Sequence, residues 1–195
     1  MITSKVAQAL FEETGCYFKG IMYGGFMAVK DGIRLIEYNA RFGDPEAMNV
    51  LPLLKTDFVE ICEAVISSDL KGLGKVEFEN KATVCKYVVP EGYPDKPVKG
   101  EKIEIGNIRG GGEIGKAGEL KMYFASVDQQ SDGLYLSGSR AIAFVGIADN
   151  LKEAESLAEN AAQSVKGPVF HRKDIGTDEL IQKKVKMMQN LRNKP

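Results

Sequence analysis

Residues 33–46, IRLIEYNARFGDPE, constrain the fold most, because a strand-forming run passes within a few residues into a loop and a helix start. Side chains on a strand alternate between faces, which predicts Glu37, Asn39 and Arg41 on one side and Arg34, Ile36 and Tyr38 on the other. Ile33 and Leu35 fall on the Glu37 side, so a polar row is expected to begin where an apolar, core-facing row ends. An exposed edge strand would account for the same spacing, since three polar residues alone are a weak pattern. The adjoining apolar row favours a site, because a carboxylate at such a boundary has chemistry available to it.

The residue types suit a metal-bound nucleotide. Mg²⁺ takes hard oxygen ligands at roughly 2.0–2.1 Å and is held by one or two protein oxygens, with water and phosphates completing the octahedron. Glu37 and Asn39 are a candidate ligand pair. Arg41, next on the row, has a guanidinium that grips phosphate or carboxylate through two donors. Gly43-Asp44-Pro45-Glu46 then reads as the opening of a helix, with Asp44 at the N-cap, Pro45 in the first helical position and Glu46 in the first turn. Such a terminus directs N–H groups toward an anionic substrate.

The flanking sequence gives this strand a partner. Residues 17–29 are predicted to be a strand, with Gly24-Gly25 marking a bulge or a close approach of backbone. Asp31-Gly32 is the expected hairpin turn. A helix over 4–13 precedes the hairpin, stopped by Gly15. Downstream, helix is expected over 45–51 and again over 57–67, the latter opened by Asp57 and Glu60, with Cys62 on its apolar stripe. Residues 68–79, carrying Gly72 and Gly74, read as a linker.

Beyond the linker the texture is of short strands, over 81–89, 102–108, 120–127, 134–136 and 141–147. Gly110-Gly111-Gly112 lacks the Gly-Lys-Ser/Thr ending of a phosphate loop and is followed by Glu113, which favours a plain turn. A helix over 150–165 is capped by Asn150, and its alanines suit close packing on a sheet. A last helix is expected over 177–189, ahead of a basic end with no interleaved aromatics.

Composition narrows the classes of function. A net charge of −1 gives no general attraction to nucleic acid or anionic membranes. No run approaches the roughly 18 apolar residues of a membrane span, and MITSKVAQALFEETG lacks a signal-peptide core. Three cysteines, Cys16, Cys62 and Cys85, with no C-x-x-C, favour a reducing, cytoplasmic setting over disulfides or structural zinc. His171 is the only histidine, which excludes a histidine metal cluster; a lone histidine is more often packed than catalytic.

The run GIMYGGFMAVKDGIRLIEYNARFGDPEAMNVLPLLKTDFVEIC resembles the end of the ATP-grasp region of the glycinamide ribonucleotide synthetase (phosphoribosylamine–glycine ligase) family. The segments ATVCKYVVPEGYP, SRAIAFVGIADNLKEAESLAENA and FHRKDIG resemble that family's C-terminal domain. The resemblance implies an α+β chain: the C-terminal piece of an ATP-grasp fold over 1–67, a linker over 68–79, and a small β-rich α+β domain over 80–195. It implies ATP-dependent joining of glycine to 5-phosphoribosylamine in purine biosynthesis, through a glycyl phosphate. In that scheme Glu37 and Asn39 hold Mg²⁺ or Mn²⁺, Arg41 stabilises the phosphoryl group in flight, and Gly43, Asp44 and Glu46 line the substrate side of the pocket.

Family members carry further ATP-grasp elements ahead of this region, so the expected partner is the N-terminal half of the enzyme or a second copy. An apolar patch on the hairpin and the Pro45 helix should mark the contact. Neither a nucleic-acid nor a membrane partner is expected. Two other readings stay open at this point: a non-catalytic binding or regulatory remnant, and another ATP-grasp carboxylate–amine ligase.

Overall fold

The computed structural model describes residues 2–108 and 118–192. The Gly110-Gly111-Gly112 run and Glu113 lie outside them. The chain forms two compact units divided after Glu79, the second running Asn80–Met187, with residues 188–192 counted in the first.

The first unit opens with α1 (Ile2–Thr14), ended by Gly15 at φ 70°. Thr14 Oγ1 donates back to Leu10 O at 2.6 Å. An antiparallel hairpin follows, β1 (Tyr23–Val29) and β2 (Gly32–Asn39). Val29 pairs with Gly32, so the turn residues are Lys30 and Asp31 rather than Asp31 and Gly32. The glycine is still required, because it opens β2 at φ 132°, where a side chain is strained.

The register shifts between Gly25 and Phe26: Gly25 pairs with Glu37 and Phe26 with Leu35, leaving Ile36 as an extra residue on β2. The bulge lies beside the glycine pair that signalled it, but its extra residue is on the opposite strand. That residue changes the faces. Cross-strand partners share a face, so Tyr23, Asn39, Glu37, Met27 and Arg34 line one side, while Tyr38, Phe26, Leu35, Ala28 and Ile33 line the other. The expectation that Ile33 and Leu35 share the Glu37 face is therefore wrong, because a bulge resets the two-residue alternation. Nor are they core residues, at 58% and 41% exposed. Phe26 and Tyr38 meet edge to face, 5.9 Å between centroids, and both rings would lie 2.7 Å from a Cβ at position 24.

The unit continues with α2 (Glu46–Val50), a 3₁₀ turn over Leu51–Leu53 and α3 (Phe58–Ser67). Asp57 caps α3, accepting from Val59 N at 2.7 Å. Within α3 the buried residue is Ile61; Cys62 is only partly covered. The segment after α3 folds back, Lys55 N donating to Glu77 O and Glu79 N to Leu53 O. Ile61 is the one buried large hydrophobic among the described residues of this unit.

The second unit has a real core. Its strands are β3 (Ala82–Pro90), β4 (Lys102–Ile105), β5 (Glu119–Phe124), β6 (Val127–Gln130), β7 (Gly133–Leu136), β8 (Ile142–Ala148), β9 (Val165–Lys166) and β10 (Val169–His171). They form two four-stranded sheets, ordered β10-β3-β8-β5 and β6-β7-β4-β9. β9 and β10, of two and three residues, are too short to show a period, and β6 follows β5 so closely that no break separates them in the sequence.

The helix α4 (Leu151–Gln163) packs on β8 and β3. Asn150 caps it, Oδ1 accepting from Glu153 N at 3.0 Å. Ala154, Ala158, Ala161 and Ala162 are buried against the sheet, as small side chains at helical spacing lead one to expect. Contact is so close at Gly146 that a Cβ there would lie 2.0 Å from Ala154 O. Val88, Ile103, Leu136, Ile142, Phe144 and Val165 fill the main core. The chain closes with α5 (Asp178–Arg192).

The β3 face toward α4 also carries Lys86, whose side chain is fully buried. Its three donors are used, on Glu155 Oε1 at 2.6 Å, Glu159 Oε2, and Lys173 O at 2.9 Å. Glu159 Oε1 additionally accepts from Gln163 Nε2 at 2.7 Å and lies 3.1 Å from His171 Nε2. The single histidine is thus a packed residue that helps tie β10 to α4.

Candidate functional site

The end of β2, the loop after it and the first residue of α2 carry all six residues singled out by the sequence. Glu37 and Asn39 lie two apart beyond the bulge on the same side of β2, and Asn39 Nδ2 donates to Glu37 Oε1 at 3.1 Å. The amide is thereby turned so that its nitrogen is engaged with the carboxylate. Glu37 is exposed and Asn39 half-buried. Among the described residues there is no cluster of three or more histidine, cysteine or acidic side chains arranged for a metal. Any cation here would rest on this carboxylate–amide pair plus oxygens from elsewhere, as nucleotide-bound Mg²⁺ does.

Arg41 is exposed, and its Nη1 donates to Phe42 O at 2.8 Å. A guanidinium has five N–H donors, so this contact leaves donors for a phosphoryl oxygen while restraining the side chain.

The Asp44 expectation needs correction. The helix starts one residue later than the sequence suggests, at Glu46, with Pro45 at the N-cap and no side-chain cap. Asp44 therefore stands outside the first turn, exposed and one position ahead of the N-cap. A five-residue helix also sums few peptide dipoles, so the helix terminus adds little to anion binding here. Gly43 contributes its carbonyl, accepting from Ala47 N at 2.9 Å.

Gly43 is buried because the space beside it is taken. A Cβ there would lie 2.6 Å from Glu46 Oε2 and 3.0 Å from the Tyr23 ring. Tyr23, the first residue of β1 and the partner of Asn39, donates from its hydroxyl to Glu46 Oε1 at 2.7 Å. That hydrogen bond, with burial and the nearby charges of Glu46 and Glu37, pushes the Tyr23 phenol above its usual range. Sequence reasoning missed Tyr23, because its partner is 23 residues away and no local pattern announces the contact.

The model of the phosphoribosylglycinamide synthetase ATP-grasp (A) domain matches residues 1–47, and that of the same family's C domain matches residues 83–178. The phosphoribosylamine–glycine ligase of Methanocaldococcus jannaschii is 54% identical over 191 residues, covering 98% of this chain and 41% of the relative. That of Methanothermobacter thermautotrophicus is 49% identical over 192 residues, covering 98% and 42%. The crystal structure of phosphoribosylamine–glycine ligase from Thermotoga maritima superposes with a TM-score of 0.63 at 26% identity, covering 84% of this chain and 38% of that one. The chain thus spans about two-fifths of the length of the curated relatives it matches. With the two domain models and these identities in agreement, the chain belongs to the phosphoribosylglycinamide synthetase family, over the end of the ATP-grasp domain and the C domain.

Proposed function

We propose that this chain supplies the metal-holding edge of an ATP-dependent ligase that joins glycine to 5-phosphoribosylamine, giving glycinamide ribonucleotide. The observation that carries the reading is the Glu37–Asn39 pair on one side of β2, immediately followed by Arg41 and the Gly43 loop, in a chain of this family. In the reaction a glycine carboxylate oxygen takes the terminal phosphoryl group of ATP, and the amine of phosphoribosylamine then displaces phosphate from the acyl phosphate. Such chemistry rests on positioning and charge neutralisation.

Glu37 and Asn39 would hold Mg²⁺ or Mn²⁺, and their hard oxygens fit either ion. When bound, the ion offsets negative charge on the nucleotide phosphates. Arg41 binds the oxygens of the transferring phosphoryl group. Gly43 keeps the loop close to Glu46, and Asp44 and Glu46 face the amine-bearing substrates with negative charge. Residues 1–67 serve as the ATP-grasp end, 68–79 as a linker, and 80–195 as the C domain. Among the described residues no helix is long and apolar enough to cross a membrane. Cys16, Cys62 and Cys85 form no disulfide, which supports a cytoplasmic, reducing setting.

The remaining ATP-grasp elements, from the N-terminal half of the enzyme, complete the site. Exposed Phe26, Met27, Ile33, Leu35 and Ile36 support such a partner, since this much apolar surface on one hairpin is costly in water. The test is phosphate release from Mg²⁺-ATP with glycine and phosphoribosylamine, the chain being mixed with the N-terminal segment of the Methanocaldococcus jannaschii relative. Release that needs both pieces and both substrates is expected. Glu37→Ala should lower it on the order of 100-fold or more with the fold intact. A folded mixture without substrate-dependent release would overturn the proposal.

A further inference from the structure

Resting on that proposed ligase reading, we infer that Tyr23 is a positioning residue for the amine-bearing substrates, acting by fixing the Glu46 carboxylate through the Tyr23 Oη–Glu46 Oε1 hydrogen bond. A glutamate side chain has three rotatable bonds, and ordering it costs rotamer entropy. Here one carboxylate oxygen is held at 2.7 Å by the phenol, and the other stands beside Gly43. The phenol itself is placed by the start of β1, in register with Asn39. One hydrogen bond thus ties the carboxylate at the start of α2 to β1, the strand paired with the one that carries Glu37 and Asn39.

The ring has a second effect. With Glu46 Oε2 it fills the space a side chain at position 43 would occupy, so the loop stays close to β1. A carboxylate held in one orientation presents a fixed acceptor to an ammonium or amine, which strengthens the hydrogen bond it makes in the complex. Removing the phenolic hydroxyl keeps the ring and its packing. It frees Glu46 to sample other rotamers and to be solvated.

The consequence falls on amine recognition rather than on the nucleotide. In the reconstituted ligation reaction, Tyr23→Phe should raise KM for an amine-bearing substrate, glycine or phosphoribosylamine, roughly tenfold, the value of a hydrogen bond to a charged group. KM for ATP, the Mg²⁺ requirement and kcat should stay within about twofold. Glu46→Gln, which keeps an acceptor for the phenol but removes the charge, should impair the same KM at least as strongly. A purely structural tyrosine would instead lower the melting temperature and shift all three KM values together.

The outcomes separate cleanly. Ligation by the wild-type mixture with amine KM values unchanged in Tyr23→Phe, or with every KM shifted alike, overturns the Tyr23 inference and leaves the ligase reading standing. No ligation by the folded wild-type mixture overturns the ligase reading, and the inference falls with it.

Discussion

Lys86, wholly buried at the centre of β3, donates from Nζ to Glu155 Oε1 at 2.6 Å. Glu159, one helical turn further along α4, takes a second of its donors. Charges removed from water in this way are tolerated only because every ammonium donor has an acceptor.

Breaking that cluster from the lysine side leaves two largely covered carboxylates facing each other. Lys86→Met should destabilise the second unit by about 3–5 kcal/mol. Adding Glu155→Gln and Glu159→Gln should restore part of the loss, because the stranded charges go. Urea unfolding followed by circular dichroism checks both; equal stability of Lys86→Met and wild type would contradict the arrangement.

The same cluster sets an acid limit. Burial alone would raise the Glu159 pKa, but hydrogen bonds from Lys86, His171 and Gln163 overcome it and hold the carboxyl at about 2, below an ordinary value of 4.5. A carboxylate with a depressed folded-state pKa contributes its full stability above the unfolded value and loses it as the proton binds. Unfolding free energy should therefore fall between pH 4.5 and about 2. Glu159→Gln, less stable at neutral pH, should show a shallower fall across this window in parallel denaturant titrations.

Gly146 tests how closely α4 lies on β8. A methyl group there would stand 2.0 Å from Ala154 O, and a backbone carbonyl cannot swing aside as a side chain does. Gly146→Ala should cost about 2 kcal/mol through displacement of the helix. Gly100→Ala, where no atom lies within 4 Å of the new methyl, is a useful contrast. At φ 72° its cost is backbone strain alone, so it should leave the α4 amides protected from hydrogen exchange.

On the hairpin, the prediction concerns association rather than stability. Ile36 is 62% exposed, so Ile36→Glu should change folding free energy by no more than about 0.5 kcal/mol. It should nonetheless weaken association with the N-terminal segment of the relative, or with a second copy. Sedimentation of the chain alone and of the mixture distinguishes those two partners.

What the sequence made legible was local. The caps at Asp57 and Asn150 depend on residues two or three positions away, and both hold in the structure. The alanine stripe of α4 and the hairpin itself are likewise short-range patterns. Asp44 falls one position short of its expected place at the N-cap because several helix-start signals coincide in Gly43-Asp44-Pro45-Glu46, and only the backbone decides among them. The Lys86 cluster lies beyond any local pattern, since its partners stand 69 and 73 residues away. A lysine inside the apolar run ATVCKYVV, with a glutamate pair four apart on a later helix, was the available hint. The candidate residues form one set in the sequence because they are nearly consecutive, whereas Tyr23 meets Glu46 only through the folded hairpin.

The extra residue at Ile36 makes the hairpin two-sided. Had the alternation run unbroken, Glu37 and Asn39 would share a side with Ile33 and Leu35, and whatever shielded the apolar pair from water would also have crowded the oxygens. With the bulge, the apolar pair and the oxygens lie on opposite sides of one thin ribbon. On the proposed reading, a neighbouring surface seated on Phe26, Ile33 and Leu35 would leave the Glu37 and Asn39 side open to ions and nucleotide.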